Sequence, residues 1–332
     1  MNEVKIFSGS SSQLLAGKIC QQVGVSPSPF KIKEYANGCF EVVLQDSVKD
    51  CKVFLIQTSI PQTLHRDLEE LRQMINAAKE NGAREIIVVM PYVSYARSDK
   101  EKSDKKYIPG MAIAGKLLIE LLKESGTVKV KKAGKVIRVN RMTRFIGIDF
   151  HSKKFAKFLS ELDIRAYHLS ALPLIVRYLK KKNLKNAIVL PADKGASKNA
   201  NFLARELNVP VGSVDKTRIS DTKARIEKIT GEVAGKDVIF FDDEISPAAT
   251  TVTTLGKELE KRGAKSLTVA VTHASIINKT IRKLMGIKIL KEIIVTDTVP
   301  IPREASESLP LRVISVAEIL AETIREISKE KA

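Results

Sequence analysis

The chain has 332 residues, 44% of them hydrophobic, and a formal charge of +18, which suits two ordinary domains with separate cores and points to a polyanionic partner without choosing among nucleotide phosphates, nucleic acid and acidic surfaces. Its three cysteines, Cys20, Cys39 and Cys51, form no Cys-x-x-Cys pair, so reduced thiols are expected and a thiolate metal knuckle is not. No apolar run approaches a membrane span, and the opening MNEVKIFSGSSSQLL lacks the basic-then-apolar order of a secretory leader, so the expectation is a cytoplasmic protein without a membrane partner.

In chain order, KVFLIQ (52–57) reads as a strand, RDLEELRQMINAAKENG (66–82) as a helix stopped by Gly82, and EIIVVMPY (85–92) as the next strand. This is a βαβ unit, and a parallel sheet follows from it. The basic stretch GTVKVKKAGKVIRVNRMTRF (126–145) alternates around KAGK and reads as a hairpin with solvated lysines. It has no interleaved aromatics for base stacking, so nucleic acid is disfavoured as its partner. The second half repeats the first pattern: DVIFFDDE (237–244), TTLGKELEKRG (253–263), KSLTVAVTH (265–273). In both copies Gly-Ala and a basic residue introduce the strand after the helix, in GAREIIVV and GAKSLTVA. The expectation is therefore two duplicated α/β domains, 1–150 and 151–332, each a mainly parallel sheet flanked by helices. Only the second carries Asp242 and Asp243; the first has Gln57 and Thr58 there.

The stretch VIFFDDEISPAATT (238–251) runs from an apolar strand into adjacent carboxylates and then a hydroxyl-rich turn. Ligands of open parallel sheets sit beyond the carboxyl ends of strands. Carboxylates there suit the neighbouring hydroxyls of a sugar or a hydrated Mg²⁺, and the start of the following helix suits a phosphate. The same acids could instead cap that helix and face solvent. Both readings stand on this stretch alone.

Several further stretches together resemble one family, the ribose-phosphate pyrophosphokinases. IFSGSSSQLLAGKI (6–19) is similar to its opening, PYVSYARSDK (91–100) to its Tyr-Ala-Arg-x-Asp segment, and GIDFHS (147–152) to its Asp-x-His signature. VLPADKGA (189–196) resembles its Pro-Asp-x-Gly-Gly turn, VDKTR (214–218) its catalytic loop, and VTDTVP (295–300) and VISVAEILAETI (313–324) its closing segments. The resemblance implies two phosphoribosyltransferase-like domains, with the ATP side and the basic insertion in 1–150. It places the ribose 5-phosphate loop 241–251 and the mobile catalytic loop 214–226 in 151–332. It further implies transfer of the diphosphoryl group of MgATP to ribose 5-phosphate, a homo-oligomer (dimer or hexamer), and Mg²⁺ or Mn²⁺ as cofactor. Residue by residue, it makes Lys216 and Arg218 the catalytic cations and gives ATP to Tyr35, Asn37, Arg97 and His151. Ribose 5-phosphate falls to Asp242, Asp243, Ser246, Ala248, Ala249 and Thr250, and the metal to His151 and Asp193.

Departures from the family pattern cluster at the same places. Pro247 has no N–H to offer a phosphate, and Ala249 carries a Cβ where glycine is usual and can take positive φ. In EYANGCFE (34–41), Tyr35 keeps a stacking face in place of phenylalanine, Asn37 remains an acceptor, and Cys39 replaces an acid with a poor one. Lys49 stands where arginine is usual and REISKEKA closes the chain without a serine-rich tail, which argues against the common ADP inhibition. A catalytically weak or inactive homologue that binds nucleotide and regulates an active relative is the alternative to a working enzyme. A base-using phosphoribosyltransferase shares the Asp-Asp loop but leaves YARSDK and the duplication unexplained.

Overall fold

The computed structural model describes residues 4–97, 126–132, 135–151, 153–193, 195–220 and 223–330. The chain divides into two compact units, one of residues 1–169 together with 317–332, the other of residues 170–316. In the first, β1 (Val4–Ser8), β4 (Lys52–Ile56), β5 (Glu85–Val89), β8 (Met142–Ile148) and β9 (Arg165–Leu169) form a parallel sheet in that order. Between the strands come α1 (Gln13–Val23), the hairpin of β2 (Phe30–Glu34) and β3 (Phe40–Leu44), α2 (Leu64–Glu80), the hairpin of β6 (Thr127–Lys132) and β7 (Lys135–Asn140), and α3 (Lys153–Glu161). The second unit repeats the plan. Its parallel sheet runs β10 (Ala187–Pro191), β13 (Asp237–Ile245), β14 (Ser266–Ala274), β15 (Leu290–Thr296) and β16 (Leu311–Ile314), after α4 (Leu172–Leu179). The connections hold α5 (Ser197–Leu207), the hairpin of β11 (Ser213–Ser220) and β12 (Lys223–Thr230), α6 (Thr250–Lys261), α7 (Asn278–Met285) and α8 (Arg303–Ser308). Each unit therefore carries a hairpin between its first and second sheet strands, a correspondence the sequence comparison did not reveal.

The apolar runs form strands because both faces of each sheet are covered. On β13 the alternation is explicit: Val238 and Phe240 join a core with Val252, Leu255 and Leu259 of α6, while Ile239 and Phe241 pack with Ile175 of α4 and Leu203 of α5. In the first unit β4 is buried throughout, and Leu68, Leu71, Met74 and Ile75 of α2 cover one of its faces. Helix α2 ends as expected, with Gly82 taking the left-handed conformation (φ 80) just past it. The strands of 126–145 form the hairpin expected around KAGK, Lys132 pairing with Lys135.

Three expectations change. The boundary falls at residue 169 rather than 150, because β9 pairs with β8 and completes the first sheet. The last helix, α9 (Ala317–Lys329), returns to the first unit and packs on α1. There Lys52, fully buried, donates from Nζ to the carbonyls of Ile327 (2.6 Å) and Glu330 (2.7 Å) at the helix end, where a cation complements the helix dipole. In the segment 214–226, expected as a loop, the described residues 214–220 and 223–226 are instead strand: β11 and β12 form an antiparallel ladder with irregularities at Asp215/Lys216 and Arg218/Ser220. Thr217, Ile226 and Ile229 give it the β-branched content of strands.

Candidate active site

The second unit gathers the candidate sugar and phosphate residues at one end of its sheet. β10 stops pairing with β13 at Pro191 opposite Phe241, and the next residue on β13 is Asp242. The strand continues against β14 through Ile245, so Asp242 and Asp243 project beside the gap that β10 leaves as it turns into residues 192–196. That turn is made by Asp193, whose Oδ1 accepts from the N–H groups of Gly195 (2.9 Å) and Ala196 (3.1 Å) at the entrance to α5. From β11, the irregularity between Asp215 and Lys216 re-aims the lysine, as bulges do. Its Nζ lies 3.4 Å from Asp193 Oδ2 and donates to Thr251 Oγ1 at 3.3 Å. Lys216 thus links the Asp193 turn to the first turn of α6.

The electrostatics follow from this crowding. Burial pushes the Asp242 carboxyl well above the usual carboxylate range, the charge of Asp243 adds to the rise, and Lys216 opposes it. The Asp242 Oδ1 also accepts the backbone N–H of Asp243 at 2.9 Å. Desolvation would raise Asp193 too, but Lys216 and the two backbone N–H groups outweigh it and hold that carboxyl below its ordinary value. One carboxylate is therefore stabilised as an anion by its cation, while the other is kept short of compensating donors.

Residues 246–249 form a turn closed by the N–H of Ala249 donating to Ser246 O at 2.8 Å. Pro247 occupies the second turn position, where its fixed φ is favourable. Ala249, 2% exposed, sits at φ 47 and ψ 27, the left-handed geometry that glycine takes freely and that costs a Cβ-bearing residue about 1–2 kcal/mol. The Ala249 N–H is thus committed to the turn, and the helix-initial N–H groups after it are the donors that face outward. Thr250 Oγ1 is buried without a hydrogen-bond partner among the described residues, an orphan that suits a phosphate oxygen. Behind the turn, Thr280 Oγ1 donates to Pro247 O (2.7 Å) and Lys283 Nζ to Ala248 O (2.6 Å).

The remaining candidates lie in the first unit. His151 follows a turn in which Asp149 has φ 40 and donates its N–H to Leu169 O at 2.8 Å. The Phe150 N–H donates to His168 Nε2 at 2.9 Å, and the Phe150 ring stacks on that imidazole with centroids 4.5 Å apart. Burial lowers the His168 pKa, Asp149 partly opposing it, in keeping with a neutral acceptor nitrogen. Gly147 is required beneath this turn, since a Cβ there would meet Phe150 Cε1 at 2.2 Å. Tyr35 and Asn37 occupy the tip of the β2–β3 hairpin. Tyr35 is 41% exposed, with Lys33 Nζ 5.0 Å from its ring centroid. Asn37 Oδ1 already accepts the Cys39 N–H at 3.1 Å, leaving one lone pair for a ligand. The side chains of Arg97 and Arg218 lie outside the described residues. Sequence reasoning missed His168, Thr280 and Lys283, none of which belongs to a motif.

For a divalent cation, no group of three or more His, Cys, Asp or Glu side chains stands ready among the described residues. In the second unit the single carboxylate of Asp193 suits Mg²⁺, an ion that takes oxygen ligands, keeps several waters and relies on substrate phosphates, whereas the imidazole of His151 in the first unit is a poorer ligand for that ion. No helix is long and apolar enough to cross a membrane among the described residues.

Comparison with known proteins finds relatives along most of the chain. Residues 4–126 match the N-terminal domain of ribose phosphate pyrophosphokinase, and residues 216–332 match the phosphoribosyl synthetase-associated domain. The chain is 33% identical over 327 residues to a putative ribose-phosphate pyrophosphokinase of Streptomyces coelicolor, covering 98% of this chain and 95% of that protein. It is 31% identical over 333 residues to the ribose-phosphate pyrophosphokinase of Synechococcus elongatus, covering 100% of this chain and 92% of that one. The crystal structure of phosphoribosylpyrophosphate synthetase from Mycobacterium smegmatis superposes with a TM-score of 0.83 at 27% identity, over 98% of this chain and 99% of that one. Two phosphoribosyltransferase-like α/β units, an acidic strand end flanked by a lysine, and full-length similarity of this extent place the chain in the ribose-phosphate pyrophosphokinase family of enzymes.

Proposed function

We propose that the chain transfers the diphosphoryl group of MgATP to the anomeric hydroxyl of ribose 5-phosphate, releasing AMP and forming 5-phosphoribosyl 1-diphosphate. The observation that carries this reading is the junction of Lys216, Asp193 and Thr251 beside the Asp242–Asp243 strand end. Ribose hydroxyls donate to the carboxylates of Asp242 and Asp243, oxygens that can each accept more than one hydrogen bond. The 5-phosphate takes the N-terminal N–H groups of α6, the Thr250 hydroxyl and the turn at Ser246, Ala248 and Ala249. Tyr35, Asn37, Arg97 and His151 hold the nucleotide. Lys216, with Arg218, faces the negative charge that grows as the bridge to the leaving nucleotide breaks. Mg²⁺, when bound through substrate phosphates and waters, would supply charge neutralisation; Asp193 would offer it a carboxylate in the second unit, and His151 is the candidate of the first. Because the hairpin tip around Tyr35 serves a neighbouring subunit's nucleotide in this reading, the working form is a homo-oligomer.

Retention of Lys216, and the left-handed geometry that Ala249 reaches despite its Cβ, support a working enzyme over an inactive regulatory homologue. The test is AMP release from ATP and Mg²⁺. Release that depends on ribose 5-phosphate and yields 5-phosphoribosyl 1-diphosphate is expected. Nucleotide binding without any sugar-dependent AMP would instead establish the inactive homologue.

A further inference from the structure

The turn that follows the carboxylate pair is held in shape from outside its own strand. Ala249 adopts glycine's left-handed backbone with its Cβ buried, and nothing in a β13-to-α6 connection alone favours that conformation for alanine. Two side chains of α7, one helical turn apart, reach two consecutive carbonyls of the turn. Thr280, fully buried, donates to Pro247 O at 2.7 Å, and Lys283 donates to Ala248 O at 2.6 Å. A trans peptide is planar, so fixing the carbonyls of Pro247 and Ala248 on the α7 side turns the N–H groups of Ala248 and Ala249 to the opposite side. The Ala249 N–H then closes the turn on Ser246 O, and the Ala249 carbonyl accepts from Thr253 N–H at 3.0 Å as α6 begins. Every carbonyl from Ser246 to Ala249 is thereby accounted for within the protein, and with Pro247 lacking an N–H and the Ala249 N–H committed to the turn, the Ala248 N–H and the helix-initial N–H groups remain as donors for an anion. The ammonium of Lys283 also sets a positive charge directly behind the turn, and a charge-assisted bond of this kind is stronger than a neutral one.

From this geometry we infer that Thr280 and Lys283 are positioning residues for sugar-phosphate binding: they hold residues 246–250 in the anion-accepting shape that glycine would otherwise provide at position 249. The assignment rests on the functional reading above only in naming the ligand as a sugar phosphate. It makes Pro247 and Ala249 parts of a braced turn instead of two lesions in a phosphate cradle. Pro247 limits the unbraced alternatives, and the α7 side chains select the remaining one.

The experiment uses the full chain with Lys283→Met, Lys283→Arg and Thr280→Val, each alone and combined with Ala249→Gly. One readout is the KM for ribose 5-phosphate against the KM for ATP; the other is amide hydrogen exchange across residues 246–251 without substrates. Lys283→Met is expected to raise the sugar KM roughly tenfold, as loss of one charge-assisted hydrogen bond implies, and to move the ATP KM far less. It should also speed exchange at the Ala249 N–H. Adding Ala249→Gly should recover most of the sugar affinity, because glycine holds the left-handed geometry without a brace, and Lys283→Arg should retain it. Thr280→Val keeps the side-chain shape while removing the hydroxyl, and carries the same comparison should Lys283→Met not fold. A lowered melting temperature with sugar KM and exchange unchanged would overturn the inference, as would an equal penalty with and without Ala249→Gly. If the wild-type chain makes no sugar-dependent AMP, the functional reading fails on its own. Exchange then decides the brace: faster exchange in the variants upholds it and unchanged exchange overturns it.

Discussion

Replacing Lys216 by alanine separates a catalytic cation from a structural one. In the resting protein the ammonium lies 3.4 Å from an Asp193 carboxylate that is 51% exposed, a pair worth under about 1 kcal/mol because water screens it. Its bond to Thr251 at 3.3 Å is long and adds little. The lysine itself is only 18% exposed, so toward charge developing in the site it acts in a less watery medium. At a separation near 4 Å and an effective dielectric of about 20, one unit of charge interacts with it by roughly 4 kcal/mol. Even half of that amounts to more than one order of magnitude in rate, and the whole approaches three, at about 1.4 kcal/mol per decade. Lys216→Ala should therefore lower kcat for sugar-dependent AMP release by roughly two to three orders of magnitude while leaving thermal stability and ATP affinity close to wild type. The pH profile should move as well. Lys216 depresses Asp193, whose ion-pair stabilisation is present above the ordinary carboxylate range and lost as pH falls through its lowered folded pKa. Without the lysine that loss begins at higher pH, so the acid limb shifts upward. A variant with wild-type kcat, or one whose activity falls only because the protein melts, would refute the assignment.

Two further perturbations read different parts of the molecule. Because Asp242 has a raised folded pKa, the folded state holds its proton more tightly than the unfolded chain, so stability falls as pH rises from the ordinary carboxylate range through that raised value and stays lower above it. Asp242→Asn should remove this dependence and melt at a higher temperature than wild type at neutral pH, yet raise the ribose 5-phosphate KM roughly tenfold or more, checked by melting curves and AMP release side by side. Lys52→Met should cost about 3 kcal/mol, since it strips the buried donor from the Ile327 and Glu330 carbonyls, and limited proteolysis should cut first near residues 317–330. Unaltered protease resistance there would mean that the end of α9 holds without its cation.

The strands were legible wherever both faces are buried, as at 52–56 and 237–245, because a continuous apolar run of that length has few other uses. Gly82 marked the end of α2, and the lysine alternation marked the hairpin of β6 and β7, since each signal acts within a few residues. The carboxylate pair stood out for the same local reason, its charge breaking an apolar strand toward its carboxyl end. The β11–β12 ladder was not, because its alternation is crowded with charged residues whose neighbours come from pairing within the hairpin. Thr280, Lys283 and His168 were illegible because their roles depend on backbone groups far away along the chain. Nor could the apolar periodicity of 313–324 say which sheet α9 would cover; an amphipathic helix specifies a face and leaves the partner open.

The return of α9 to the first unit has a temporal consequence. Residues 170–316 form an uninterrupted stretch that can close its own core as soon as it has left the ribosome, while α1 waits for α9, made about three hundred residues later. Until α9 has emerged, the α1 face of Leu15, Ile19 and Cys20 lacks the cover that the helix of Leu320, Ile324 and Ile327 brings. The younger half of the nascent chain thus matures before the older half, and a prematurely terminated product ending at residue 316 would keep an intact second unit beside a first with one helix face left bare.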